Sequence, residues 1–475
     1  MVTPIKFGTD GWRAIIAEDY TFDNVRICAQ SAAQFLRDTG LADRGLVVGY
    51  DTRFASESFA AAVAEVVAAN GIKVYLCDRP CPTPAVSFSV LERGAGGAVI
   101  ITASHNPAAY NGFKYKPEYA GSASPEVVAQ LEERIEAIQR NGGVKRLPLE
   151  QARGEGRVEL IDPRTPYLAH LAKLVDLGPI RDAGLRIAVD SMFGAGAGYL
   201  KELVGGGRTE VIELNGERNP LFPGIAPEPI ARNLGRLEAL IKGDPTISMG
   251  IATDGDADRV GAMDENGVFI TQLQTFGLLA LYLLEARNQR GPLVKSVTMT
   301  SMAFRLGELF DVPVFETPVG FKYIGPVMME HGALLGGEES GGFGFRGHIP
   351  ERDGVLSALY LLDFVIKSGK QPSELIRYLY ERVGGHYYDR IDLHFPAAER
   401  AAIVDRLRGA NPVSIDGTPV TPEVMDDGFR FNFADGSWLL IRFSGTEPVM
   451  RIYTETTSAD RIPRILAAGR ELAGV

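Results

Sequence analysis

The chain is poor in cysteine and tryptophan, with three and two respectively among 475 residues. Cys28, Cys77 and Cys81 are odd in number and match neither a metal-site nor a redox spacing, which excludes a disulfide framework. They read as small core-filling thiols of a reducing compartment, so the expected location is cytoplasmic. Long hydrophobic runs are also missing. The longest near 273–286 extends from Leu278 to Leu284 before Glu285 interrupts it, well short of the ~20 residues of a membrane span. Met1 to Lys6 show no apolar stretch ahead of a small-residue cleavage site, so no secretory leader is expected. Positive charge is in deficit: 49 Lys and Arg against 60 Asp and Glu leave a net −11. That balance argues against nucleic acid or a membrane as partner, and at first sight against a phosphorylated substrate. No Walker A motif is present, which disfavours a nucleotide site, and no Gly-x-Ser-x-Gly elbow, which disfavours an α/β-hydrolase nucleophile.

Glycine is in excess instead. The 54 glycines of 475 residues are about 11%, against ~7% in average proteins. They follow no Gly-X-Y period, so they belong to turns and loops where backbones approach closely. At roughly 100–200 residues per domain the length predicts three or four domains. Short β-branched runs alternate with longer helical stretches, the pattern of parallel α/β layers. Expected strands are Leu46–Tyr50, Ile72–Cys77 and Ala98–Ile101, then Leu185–Asp190, Glu210–Leu214 and Ile247–Ala252, then Val297–Thr300, Val314–Glu316 and Leu334–Gly336. Phe59–Ala69 and Val355–Ile366 read as helices. After about residue 385 the pattern changes to a hairpin, Gly428–Phe433 and Trp438–Phe443 around Asp435-Gly436, and a terminal helix Ala459–Ala473. The expected fold is therefore α/β: three similar α/β domains (1–150, 151–268, 269–385) and a smaller C-terminal α+β domain (386–475).

Four loops carry residues that a turn alone does not require. Thr102-Ala103-Ser104-His105-Asn106-Pro107 follows a buried strand, at the strand end where open α/β sheets bind ligands. Ser104 is a candidate nucleophile or phosphate carrier, with His105 and Lys114 as proton-transfer groups; the alternative is a Ser/Asn/Pro turn. Asp254-Gly255-Asp256-Ala257-Asp258-Arg259 also follows a strand. Three carboxylates at alternate positions repel one another unless a cation neutralises them, and oxygen-only ligands select Mg²⁺. A calcium hand would need glycine where Arg259 stands and a helix in front, so it is disfavoured against Mg²⁺ and against a metal-free acidic turn. Gly336 to Gly342 surrounds Glu338, Glu339 and Ser340 with glycine; a carboxylate and a hydroxyl suit vicinal sugar hydroxyls, or the acids are simply solvated. Arg442-Phe443-Ser444-Gly445-Thr446-Glu447-Pro448 combines an arginine, hydroxyls and glycine amides, either a phosphate nest or a surface turn.

In this order and spacing, the four loops resemble those of the α-D-phosphohexomutase family, whose nearest members are phosphoglucomutases and phosphomannomutases. A fifth element, Phe7-Gly8-Thr9-Asp10-Gly11-Trp12-Arg13, extends the resemblance over the whole chain. The resemblance implies a heart-shaped, four-domain protein with mixed sheets and one loop per domain in a central cleft. It implies a phosphoserine at Ser104 and a Mg²⁺ site made by its phosphate with Asp254, Asp256 and Asp258. Arg259 would stabilise phosphoryl charge, Arg13 and Lys114 would flank the phosphoserine, and Lys114 or His105 would be the acid/base. Glu338 and Ser340 would hold the sugar, while Arg442, Ser444, Gly445 and Thr446 would hold the distal phosphate. The implied reaction interconverts hexose 1- and 6-phosphates through a hexose 1,6-bisphosphate, which also serves as activator. Its substrate is a phosphosugar, glucose first and mannose second, and the protein is a monomer or homodimer.

Two departures bear on the sugar. Bacterial phosphomannomutases and phosphoglucosamine mutases tend to carry His after Glu-x-Ser-Gly, where this chain has Gly342, and Gly347 to Gly354 looks like the phosphoglucomutase branch, making Arg352 a possible phosphate contact. Val319 stands where that branch has a hydroxyl residue. The alternatives are a phosphoglucosamine mutase, a glucose-1,6-bisphosphate synthase, and a non-enzymatic sugar-phosphate binding protein. His170, His331, His386 and His394 lie outside the loops and read as packing residues. On this reading the net charge describes the outer surface, while Arg13, Lys114, Arg259, Arg352 and Arg442 converge on one cleft.

Overall fold

The computed structural model describes residues 4–8, 10–443 and 449–475. Four sheets succeed one another along the chain. The first has the order β1-β5-β4-β2-β3-β6, built from β1 (Trp12–Ile15), β2 (Leu46–Tyr50), β3 (Val74–Cys77), β4 (Gly97–Ile101), β5 (Tyr110–Pro117) and β6 (Val158–Ile161). Strands β2, β3, β4 and β6 pair in parallel, while β5 runs antiparallel to both β4 and β1. The second sheet is β11-β10-β9-β7-β8, from β7 (Arg186–Asp190), β8 (Glu210–Leu214), β9 (Met249–Thr253), β10 (Val260–Met263) and β11 (Phe269–Ile270). The third is β13-β12-β14-β15, from β12 (Leu293–Ser296), β13 (Val314–Thr317), β14 (Leu335–Gly337) and β15 (Phe343–Phe345).

Each of these sheets has a parallel centre, and in each one central parallel strand turns back into an antiparallel neighbour: β4 into β5, β9 into β10, β14 into β15. The sheets are thus mixed, whereas the strand–helix alternation alone suggests parallel layers. These three turnbacks contain the Ser104, Asp254 and Glu338 loops. The fourth sheet, β16-β21-β20-β19-β18-β17, is antiparallel throughout, from β16 (Tyr387–His394), β17 (Ser414–Ile415), β18 (Thr418–Met425), β19 (Gly428–Phe433), β20 (Trp438–Phe443) and β21 (Val449–Thr456). Ser444, Gly445 and Thr446, expected to bind phosphate, lie between β20 and β21 outside the described residues.

The expected limits shift where a strand joins a neighbour's sheet. β6 lies beyond residue 150 yet pairs with β3, and β11 lies beyond 268 yet pairs with β10. Expected strand Val297–Thr300 is instead a turn after β12. The chain leaves the sheet at Ser296, and Thr300 Oγ1 and Ser301 N donate to Glu455 of β21 at 2.5 and 2.7 Å, so tertiary contacts override β propensity. The terminal helix begins as a 3₁₀ turn, Ala459–Arg461, before the α-helix Ile462–Ala473. Helix Gly354–Ser368 is buried on nearly every face, as its all-round apolar sequence demands, and joins a core shared by the second and third sheets. Asp353 caps its first turn by accepting from Leu356 N at 2.8 Å. The C-terminal sheet has a core of its own under helix Ile462–Ala473.

Candidate active site

Ser104 lies in the β4–β5 turnback, buried, with a left-handed backbone at φ 53°. Its N–H donates to Thr102 Oγ1 (2.8 Å) and its hydroxyl to Asp254 Oδ2 (2.8 Å), with His105 Nδ1 3.4 Å from Oγ. Burial, then Arg259, Arg13, Arg53 and Lys114, push His105 well below the usual imidazole pKa, so the ring is neutral. Arg13 sits on β1 opposite Gly112 of β5 and donates to Asn106 Oδ1 (2.7 Å) in the same turnback. Lys114, two residues further along β5, lies on the same face of the sheet. Its ammonium meets Asp10 (2.8 Å), Asp256 (2.8 Å) and Asp258 (3.2 Å). Burial lowers its pKa, but Asp10, Asp256 and Asp258 outweigh that and raise it.

The acidic loop joins β9 to β10 with all three aspartates fully buried and their ligand oxygens within 4.8 Å of one another. Asp254 accepts from Arg259 N (3.1 Å), and Asp256 Oδ2 from Thr83 Oγ1 (2.6 Å) and Lys114. Asp256 Oδ1 and Asp258 Oδ1 are buried without a hydrogen-bond partner among the described residues. Burial, with Asp256 and Asp258 close by, raises the pKa of Asp254 well above the usual carboxylate range. A dry cluster of three carboxylates with two orphaned oxygens fits a hard divalent cation such as Mg²⁺. Gly255 brings this loop against the first: a Cβ there would stand 2.5 Å from Ser104 O. Arg259 is nearly buried, with Nη1 3.7 Å from Glu228 and Nε 3.9 Å from Asp258.

Glu338 and Ser340 occupy the β14–β15 turnback, where Glu338 N bonds Gly342 O (3.0 Å) and Gly341 takes φ 90°. Ser340 Oγ is buried with no partner among the described residues. Burial raises the pKa of Glu338 despite Arg352. The Arg352 guanidinium reaches four acids, Asp10 (2.6 Å), Asp258 (2.9 Å), Glu351 (3.2 Å) and Glu338 (3.4 Å), and so ties the first three sheets' loops together. Gly342 makes room for it, since a Cβ at 342 would overlap Arg352 Cδ. Glu339 faces the C-terminal sheet and accepts from Tyr388 OH (2.6 Å) and Arg390 Nη1 (2.9 and 3.0 Å). Arg442, on β20, pairs with Asp427 Oδ1 (2.8 Å), whose Oδ2 accepts from Val319 N (2.8 Å).

Ser104, His105, Lys114, Arg259 and the aspartates thus converge, and Arg352 joins them to Glu338. Several polar residues of the site were not singled out from sequence: Asp10 as a salt-bridge hub, Thr83, Glu351, which pairs with Lys116, Asp427, and Arg53. For Asp51-Thr52-Arg53 a signal existed, since it follows strand β2 as the other loops follow theirs.

A buried serine beside a carboxylate cluster, ringed by arginines and lysine, has the chemistry that metal-assisted phosphoryl transfer calls for. The profiles of the phosphoglucomutase/phosphomannomutase family match the chain domain by domain: α/β/α domain I over residues 4–142, domain II over 165–267, domain III over 273–383 and the C-terminal domain over 395–472. A phosphoglucomutase/phosphomannomutase of Thermococcus kodakarensis is 30% identical over 98% of both chains. A phosphoglucosamine mutase of Thermobifida fusca is 31% identical over 97% of this chain and 96% of its own. A crystal structure from Thermus thermophilus, which carries a provisional phosphomannomutase name, superposes with TM-score 0.85 at 36% identity over the whole of both chains. The chain belongs to the phosphoglucomutase/phosphomannomutase family and is an enzyme of the phosphohexomutase class.

Proposed function

We propose that this phosphohexomutase interconverts hexose 1-phosphate and hexose 6-phosphate, glucose first and mannose second, through a phosphoserine at Ser104 and a bound hexose 1,6-bisphosphate. The observation that carries the reading is Ser104 Oγ, 2.8 Å from Asp254 Oδ2 at the edge of the aspartate cluster. Asp254, Asp256 and Asp258, with a phosphate oxygen on Ser104, would hold Mg²⁺, which when bound offsets charge on the transferring phosphoryl group. In the first half-reaction a sugar hydroxyl attacks the phosphorus and gives its proton to His105. The bond from phosphorus to Ser104 Oγ breaks. His105 then returns that proton to Ser104 Oγ. In the return step the Ser104 hydroxyl attacks the sugar's other phosphate and passes its proton to His105, which delivers it to the sugar oxygen as that oxygen's bond to phosphorus breaks. His105 is preferred to Lys114 as acid/base on geometry, because its Nδ1 faces Ser104 Oγ while the Lys114 ammonium is held by three carboxylates.

Arg13 and Arg259 would steady the phosphoryl oxygens. Glu338 and Ser340 would grip the 3- and 4-hydroxyls, which exchange places when the sugar turns over, and that grip ignores C2, where glucose and mannose differ. Arg442, with Ser444, Gly445 and Thr446, would take the distal phosphate. Arg352 is better placed to orient Glu338 than to meet phosphate, given its four carboxylate partners. A phosphoglucosamine mutase is the second reading, carried by the name of the Thermobifida fusca relative. Three buried, unpaired cysteines favour a cytoplasmic location, and no helix among the described residues is long and apolar enough to cross a membrane.

The test is conversion of glucose 1-phosphate to glucose 6-phosphate with Mg²⁺ and a trace of bisphosphate. Turnover by the wild type and its loss in Ser104→Ala are expected; no turnover, or undiminished turnover by Ser104→Ala, sinks the reading. Comparing kcat/KM for glucose, mannose and glucosamine 1-phosphates separates the two substrate readings.

A further inference from the structure

The loop holding Ser104 is an irregular turn in a left-handed conformation, and no strand ladder reaches the carbonyls of Ser104 or Asn106. One side chain supplies the missing donors. Arg53, fully buried at the end of β2, donates from Nη2 to Ser104 O (2.6 Å) and Asn106 O (2.5 Å), and from Nη1 to Pro107 O (2.9 Å) and Tyr110 O (3.0 Å). Its remaining nitrogen, Nε, lies 3.2 Å from Asp51 Oδ2. That contact is an ion pair without a hydrogen bond, so the two terminal nitrogens do the holding, and their four bonds go to one seven-residue stretch of backbone.

The anchor is itself held. Asp51 Oδ1 accepts from Arg53 N (2.9 Å) and from Ser56 Oγ (2.8 Å), and Asp51 N bonds Ile101 O, the last residue of β4 (3.0 Å). From the second domain, the Phe222 ring stands 4.9 Å from the guanidinium carbon, and Arg218 donates to Arg53 O (3.3 Å). A lysine offers three donors from a single nitrogen and cannot span four carbonyls, so only arginine satisfies them all. Pro107 O also accepts from Tyr110 N (3.0 Å), but without the arginine the carbonyls of the buried Ser104 and the half-buried Asn106 and Tyr110 would lose these donors and favour another loop conformation.

We propose that Arg53 is the positioning residue of the nucleophile loop: its fork holds the backbone of Ser104–Tyr110 so that Ser104 Oγ is presented to Asp254 in both phosphorylation states. The proposal rests on the reading of Ser104 as the phosphate carrier. It gives Arg53 no contact with substrate, so its loss acts on the rate of phosphoryl transfer and not on sugar binding.

The experiment compares full-length wild type, Arg53→Lys and Arg53→Met with Mg²⁺ and glucose 1-phosphate. For Arg53→Lys, kcat is expected to fall roughly a hundredfold, the scale of a 1 Å misplacement, with KM within about threefold. Arg53→Met falls further, the lysine rescuing part of the loss. Single-turnover transfer of phosphate from Ser104 slows by the same factor as kcat. Amide hydrogen exchange in residues 102–111 speeds up, while the strands of the C-terminal sheet exchange as in wild type. Loss borne by KM, or unchanged exchange at 102–111, overturns the proposal. Should the Arg53 variants not fold, Asp51→Asn loosens the anchor while keeping the arginine, and is expected to give a smaller effect of the same kind; normal kcat and exchange there overturn it. If wild type does not turn over hexose phosphate, the functional reading fails, and exchange at 102–111 still decides the role of Arg53.

Discussion

The two halves of the cleft are built differently. Around Ser104 and the aspartates, three buried cations each bond to several partners: Lys114 to three acids, Arg352 to four, Arg53 to four carbonyls. The half that would bind the sugar's far end is attached to its neighbours by fewer links. Glu339 to Arg390 and Tyr388, and Asp427 to Arg442 and Val319 N, join the third domain to the C-terminal sheet, with Glu316–Arg430 and Glu455 alongside. The C-terminal sheet has its own core and meets the third domain through these links and one small buried cluster, Val297 with Trp438, Leu440 and Tyr453. The contrast teaches that chemistry and recognition place opposite demands on one protein. Phosphoryl transfer needs fixed charges in a dry site, whereas on the proposed mechanism the sugar would bind in two orientations and call for a wall that yields.

Asp254→Asn should break the rigid half most severely. Replacing one of three carboxylates by a neutral amide weakens the cluster's hold on a cation, and Mg²⁺-dependent kcat should fall by roughly a hundredfold or more. The same change relieves repulsion in the metal-free protein, so thermal unfolding in chelator should show a Tm equal to or above wild type; a large drop would show that the acid serves the fold. Gly342→Ala comes next. Its methyl would displace Arg352, at a cost of about 1–3 kcal/mol, read by denaturant unfolding, and kcat/KM should fall with it as Glu338 loses its partner. Wild-type stability in that variant would mean that Arg352 has another place to go.

Arg390→Met probes the yielding half. Losing a charge-assisted pair worth about 1.5–3 kcal/mol should raise KM roughly tenfold and leave single-turnover phosphate transfer from Ser104 nearly unchanged. Equal losses in both would erase the distinction between the halves. The smallest effect concerns acid. His170 stacks on Phe88 and bonds His348 Nδ1 (3.0 Å), whose Nε2 meets Asp353 (2.8 Å) beside Tyr167 OH. Burial, then His348, lowers His170 from 6.5 to about 4, with Lys173 adding to the shift and Asp353 opposing it. The unfolded chain then protonates first as pH falls, so this stability is complete above pH 6.5 and lost towards pH 4. Tm should decline over that window, and His170→Gln should flatten the decline.

Much of this was legible in the residues. Loops after strands, an acid at every second position, and glycine around a carboxylate pair are local signals, because metal ligation and close backbone approach need particular residue types at short spacings. The hairpin at Asp435-Gly436 was legible for the same reason, and its strands stand where the alternation puts them. Val297–Thr300 was not, since its turn is set by Glu455, 155 residues beyond Thr300. Nor was the division of labour between two buried cations: Lys114 is held by Asp10 and the aspartate loop, and Arg53, unremarkable in a row of residues, bonds the turn that carries Ser104.

What the sequence alone determined was the chemistry present: three aspartates at alternate positions, a serine at a strand end, a family of four domains. What only the tertiary structure decided was which charges neutralise which. Burial makes each unpaired charge costly, so partners are chosen by proximity across domains and not by spacing along the chain. The room for Arg352 beside Gly342 and the fork of Arg53 under Ser104 exist only once the sheets have come together.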